Sequence, residues 1–107
     1  MGFFDFLRGP DINQGVQQFL NTPGAVLLDV RESGEYAQGR IPGSRNLPLS
    51  QINRAEQMVP DKTTPLFVYC LSGARSGQAL SMLQKMGYTA VTNIGGISAY
   101  GGKVERG

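Results

Sequence analysis

The chain has 107 residues, a length that suits one domain and can bury a core without disulfides or a structural metal. Apolar residues make up 40% and charged residues 17%, with a formal net charge of +2, which excludes a disordered or membrane-spanning chain and gives no strongly basic nucleic-acid surface. One cysteine and no histidine exclude an intramolecular disulfide, CxxC redox chemistry, the usual metal-ligand spacings and every imidazole-activated nucleophile.

The opening Met-Gly-Phe-Phe-Asp-Phe-Leu-Arg has no basic leader and its apolar stretch is interrupted by Asp5, so the expectation is a cytoplasmic protein. Myristoylation is not expected, because Phe6 stands where that pattern wants Ser or Thr. The cluster Phe3, Phe4, Phe6 and Leu7 is expected to pack on the domain edge. Asp11 can cap a helix through Leu20, with Ile12, Val16, Phe19 and Leu20 at helical spacing, before Asn21-Thr22-Pro23-Gly24 ends it. Residues 25–30 form a continuous apolar run broken by Asp29 near its carboxyl end, as in a strand buried on both faces of a parallel sheet.

A short helix is expected over residues 33–38 and a turn over Gly39-Arg40-Ile41-Pro42-Gly43. Residues 49–59 read as one helix with Ile52, Ala55 and Val59 inward, ended by the Pro60–Pro65 stretch. A second buried strand, Leu66-Phe67-Val68-Tyr69, runs into Cys70 and a short loop, followed by a helix over residues 77–86. Residues 90–94 read as a third strand, and Gly95-Gly96-Ile97 turns into a short last segment near Tyr100. Alternating strands and helices predict an α/β domain, three-layered, with a mainly parallel central sheet flanked by helices on both faces. Ligands of such sheets sit at the carboxyl edge, where Asp29 and Cys70 both fall.

A loop at a helix start points backbone N–H groups toward one spot and forms an anion cradle. An unperturbed cysteine thiol, with pKa about 8.5, is mostly protonated near neutral pH. At the entrance to Cys70-Leu71-Ser72-Gly73-Ala74-Arg75-Ser76 its thiolate would be stabilised by those N–H groups, the helix dipole and Arg75, with no histidine base. A lone cysteine ending a strand is more often a small buried hydrophobe. Gly73 and Arg75 inside the loop, with a helix straight after, favour the reactive reading.

Taken together, Leu27-Leu28-Asp29-Val30-Arg31, Glu35-Tyr36, Gly39-Arg40-Ile41-Pro42-Gly43-Ser44, the Cys70–Ser76 loop and Gly95-Gly96-Ile97 resemble the rhodanese family in order and spacing. The resemblance spans residues 11 to 100, and it departs from the family at Arg40, where histidine is frequent, and at Tyr100, where tryptophan is. It implies a rhodanese-like domain over residues 11–101, with 1–10 an N-terminal extension and 102–107 a tail. It further implies a thiosulfate sulfurtransferase working by ping-pong, in which Cys70 takes sulfur from a small anionic donor such as thiosulfate and passes it to cyanide or a thiol.

By the family pattern the backbone of Leu71, Ser72, Gly73, Ala74, Arg75 and Ser76 would hold the persulfide. Arg75 would meet the donor's sulfonate and Asp29 would brace the loop, while Arg31 would be structural. No metal, cofactor, nucleic acid or membrane is implied, and a protein acceptor stays open. Related phosphatases place five residues between cysteine and arginine where this chain has four, Leu71 to Ala74, which speaks against phosphatase or arsenate reductase chemistry. A persulfide carrier or docking module with little thiosulfate activity is the alternative, since fold does not fix substrate.

Overall fold

The computed structural model describes residues 9–107; the Phe3, Phe4, Phe6 and Leu7 cluster lies outside the described residues. Its elements in chain order are α1 (Ile12–Leu20), β1 (Val26–Asp29), α2 (Ser33–Gln38), β2 (Ser44–Asn46), a 3-10 stretch (Leu49–Arg54), α3 (Ala55–Met58), β3 (Leu66–Cys70), α4 (Ala74–Lys85), β4 (Val91–Gly96) and a last 3-10 turn (Ile97–Ala99). Asp11 caps α1 as expected, its carboxylate accepting from the Asn13 N–H at 3.0 Å.

The strands form one parallel sheet in the order β2-β1-β3-β4. Because every strand side chain alternates faces, the buried residues divide by parity into two cores. Leu27, Phe67, Tyr69 and Ile94 pack with Ile12 and Val16 of α1 on one face. Leu28, Val68 and Cys70 pack with Ile52, Ala55, Ala79 and Leu83 on the other, so the cysteine belongs to the α4 face. The chain leaves β1 toward β2 on one side and returns to β3 on the other. The carboxyl ends of β1 and β3 therefore make a topological switch point, the place where an open α/β sheet binds ligands.

Four expectations are corrected. A fourth strand, β2, exists that apolar patterning could not show: Ser44-Arg45-Asn46 carries no apolar residue and, among the described residues, pairs with β1 alone at the sheet edge. Residues 49–59 are not one helix, because backbone bonds from Leu47 N–H to Asp29 C=O (2.9 Å) and from Leu49 N–H to Val30 C=O (3.0 Å) fix the entering chain, and a 3-10 stretch kinked at Gln51 precedes α3. Ile52, Ala55 and Val59 are nonetheless its buried stripe. The helix after Cys70 begins at Ala74 rather than residue 77, and β4 runs through Gly96 with a register irregularity opposite Val68 and Tyr69.

The tail is paired with its own domain. Arg40 and Glu105 exchange backbone hydrogen bonds of 2.9 Å as an antiparallel bridge, and the Arg40 guanidinium donates to the Gly107 carbonyl at 2.9 Å. Gly107 N–H reaches the Ala37 carbonyl, also at 2.9 Å.

Candidate functional site

Cys70 ends the fully buried strand β3, and Gly73, with φ of 106°, reverses the chain so that α4 starts immediately. A residue with a Cβ is strained at that angle, which accounts for glycine there. The turn directs backbone donors onto the sulfur: Gly73 N–H lies 3.0 Å and Ser76 N–H 3.4 Å from Cys70 Sγ. Burial pushes the thiol's pKa up; the Ser76 hydroxyl and the N–H groups of Ser76, Gly73 and Ser72 outweigh it and lower the pKa overall. Ala74, Arg75 and Ser76 are thus the first turn of α4, and Leu71 and Ser72 form the exposed start of the loop.

Ser76 is fully buried, and its Oγ lies 3.4 Å from Sγ. Its hydroxyl lies 2.7 Å from Asn93 Oδ1 and 3.1 Å from the Gly73 carbonyl oxygen, both acceptors; Asn93 Oδ1 also accepts from Gly95 N–H (3.0 Å) while Asn93 Nδ2 donates to the Gly73 carbonyl (3.3 Å), which fixes the amide's orientation. With a neutral thiol, S–H donates to Ser76 Oγ; with a thiolate, the hydroxyl turns to donate to sulfur. Ser76→Ala removes that donor and leaves the N–H groups. We expect alkylation of Cys70 by iodoacetamide at pH 7 to slow about three- to tenfold; an unchanged rate would show that the backbone alone sets the thiolate.

Arg75 does not stand free. Its two Nη atoms donate to the two carboxylate oxygens of Glu35 at 2.7 and 2.9 Å. The Arg75 guanidinium holds Glu35 down at about 2, with the Glu32 N–H also contributing. The pair ties the cysteine loop to α2, and sequence reasoning missed it because nothing local links positions 35 and 75. With a folded pKa below the ordinary 4.5, Glu35 contributes stability that is fully present above about pH 4.5 and lost as pH falls toward about 2. The pair is one-third exposed, so this amounts to about 1 kcal/mol. Glu35→Gln should lower the melting temperature at pH 7 by a few degrees and flatten that acid limb; identical acid limbs would contradict the assignment.

Asp29 and Arg31 are brought to the same edge, but Asp29 does not brace the cysteine loop. Its carboxylate, wholly buried, accepts from Arg31 N–H (2.9 Å), Nε (3.0 and 3.1 Å) and Nη2 (2.6 Å). The reason is distance along the chain: Arg31 lies two residues on and folds straight back, then passes its Nη2 to the Gly39 carbonyl at 2.6 Å. Beside the loop lies a cleft of about 370 Å³ walled by Arg31, Glu35, Gly39, Leu71, Ile97 and Val104. A hollow of about 380 Å³ between β2 and the 3-10 stretch contains no residue of the cysteine loop. Among the described residues no cluster of metal-ligating side chains occurs, and no helix is long and apolar enough to cross a membrane.

A parallel α/β sheet with a cysteine at the carboxyl end of a central strand, its sulfur facing the N–H groups of the next helix, defines a domain built around a thiolate in an anion cradle. The chain belongs to the rhodanese-like domain family, whose model matches residues 13–103. It is 43% identical over 83 residues to the uncharacterized protein YqhL of Bacillus subtilis, covering 76% of this chain and 64% of that protein. It is 44% identical over 71 residues to the thiosulfate sulfurtransferase PspE of Escherichia coli, covering 65% of this chain and 68% of that one. The chain thus spans about two thirds of the length of these relatives. Among solved structures it is similar to a rhodanese with anions from Escherichia coli, with a TM-score of 0.72 and 38% identity over 78% of this chain and 99% of that one. Its sulfurtransferase relatives place it in a transferase family.

Proposed function

We propose that the protein is a sulfurtransferase that carries sulfane sulfur on Cys70 as a persulfide. The observation that supports it is the thiol at the head of α4, with Gly73 and Ser76 N–H groups on Sγ and a net downward pKa shift. The Cys70 thiolate attacks the outer sulfur of thiosulfate. An Sγ–S bond forms, the donor's S–S bond breaks, and its electron pair leaves with sulfite, so charge is conserved and no proton moves. Converging N–H groups stabilise the anionic persulfide, in the manner of an oxyanion hole. Cyanide or a thiolate then attacks the outer sulfur, and the Sγ–S electron pair returns to Cys70.

This sequence needs no histidine, which the chain lacks. The loop places four residues between Cys70 and Arg75, one fewer than in the related phosphatases, and the Arg75 guanidinium is engaged by Glu35, which favours sulfur over a phosphoryl group. Steady-state thiocyanate formation from thiosulfate and cyanide tests the scheme. Parallel double-reciprocal lines, and no thiocyanate above the blank with Cys70→Ser, are the expected results; converging lines or a Cys70→Ser variant that still turns over would overturn it.

A further inference from the structure

A side chain of β4 reaches both residues whose N–H groups meet the cysteine sulfur. The strand gains a residue against β3 at this point: Val68 lies opposite Asn93 and Tyr69 opposite Gly95, with Ile94 between them, and Gly95 takes a φ of 104°. A bulge beside a reactive group can re-aim a side chain. Here it lets Asn93 Oδ1 accept from Gly95 N–H at 3.0 Å, which orients the amide. Its Nδ2 then donates to the carbonyl of Gly73, the residue whose N–H lies 3.0 Å from Cys70 Sγ. Its Oδ1 stands 2.7 Å from the hydroxyl of Ser76, whose N–H and Oγ both lie 3.4 Å from the same sulfur.

The Ser76 hydroxyl has one proton, and when the sulfur is anionic that proton turns to it. The two oxygens nearest the hydroxyl then stay bonded. Asn93 Oδ1 keeps the Gly95 N–H, and the Gly73 carbonyl keeps both Asn93 Nδ2 and the Gly77 N–H at 3.0 Å. A buried acceptor left without a donor is costly, so the amide lets the hydroxyl follow the charge without orphaning an oxygen. We infer that Asn93 is a positioning residue for sulfur transfer: it holds Gly73 and Ser76 on Cys70 Sγ and keeps their surroundings bonded as the Ser76 hydroxyl turns to the anionic sulfur. It acts through those two residues, and its role rests on the sulfur-transfer reading of Cys70. The charged groups around the loop are the Asp29–Arg31 pair at the end of β1 and the Glu35–Arg75 pair of α2 and α4. The 3-10 stretch and α3 meet the core around Cys70 with Ile52 and Ala55, and β4 carries no titratable side chain.

The test is the pH profile of Cys70 alkylation by iodoacetamide in the wild type, Asn93→Leu and Asn93→Asp, with urea unfolding of each. In Asn93→Leu the rate at pH 7 should fall about tenfold, the profile should move to higher pH, and the high-pH plateau should stay within about twofold of the wild type. Asn93→Asp is nearly isosteric; it loses the donor to Gly73 and sets a carboxylate beside the Ser76 hydroxyl, so its profile should move further. At pH 7, kcat/KM for thiocyanate formation should fall in parallel with alkylation. A merely structural asparagine would lower the unfolding midpoint and leave the profile in place, and that result would overturn the inference. Should Asn93→Leu fail to fold, an unmoved profile in Asn93→Asp would overturn it as well. A wild type that gains no sulfur by intact mass would instead remove the sulfur-transfer reading, and with it the role of Asn93 in transfer; the alkylation profile needs no sulfur donor and reads the thiolate alone.

Discussion

Replacing Gly96 with alanine is expected to lower kcat/KM for sulfur transfer by about a hundredfold or more. An alanine Cβ at this position would lie 2.2 Å from the Leu71 carbonyl oxygen, 2.6 Å from Ser72 Cα and 2.7 Å from the Leu71 carbonyl carbon. All three are backbone atoms of the cysteine loop, so no rotamer change relieves the clash. Either β4 or the loop must move by about 1 Å, a displacement of the size that costs catalysis roughly a hundredfold when it affects a reacting group. The Gly73 and Ser76 N–H groups would then lose their aim at Sγ, and iodoacetamide alkylation should slow in parallel. Stability should fall by only about 1–3 kcal/mol, as for other overpacked sites. Near-wild-type turnover in Gly96→Ala would mean that the loop position is not held by this contact.

The second large effect is on folding. Asp29 is wholly buried and Arg31 is 5% exposed, and the carboxylate meets its partner through a bond as short as 2.6 Å. Removing one member of such a pair leaves a charge buried without its partner, which costs about 3–5 kcal/mol. Asp29→Ala should therefore lower the melting temperature by roughly 15–30 °C for a domain of this size. Replacing both members by apolar residues of similar volume, Asp29→Leu with Arg31→Met, should recover most of the loss, because two desolvated charges disappear together. A double variant as unstable as the sum of the singles, measured by urea unfolding, would contradict this account.

Much of this site was legible because its chemistry is local. The apolar run into Cys70, the glycine three residues on and the helix behind it lie within one stretch, so the thiolate cradle could be read before any strand order was known. The switch point could not, since it depends on β2, whose three polar residues give no periodic signal. The pairing partners were equally hidden. Glu35 meets Arg75 across 40 positions, and Asn93 meets Ser76 across 17, with nothing in the local pattern to mark either. Asn93 did leave a trace, as a polar side chain inside a strand that must find a hydrogen bond once packed. The tail left none: Val104 borders the cleft because Glu105 pairs with Arg40, a contact set by the closed fold.

The most direct test of the central claim is the intact mass of the protein before and after thiosulfate, and again after cyanide, alongside Cys70→Ala. The expected result is a gain of one sulfur atom (about 32 Da) that cyanide removes and that Cys70→Ala never shows. No gain from thiosulfate or from a persulfide donor, or a gain that persists without Cys70, would contradict it.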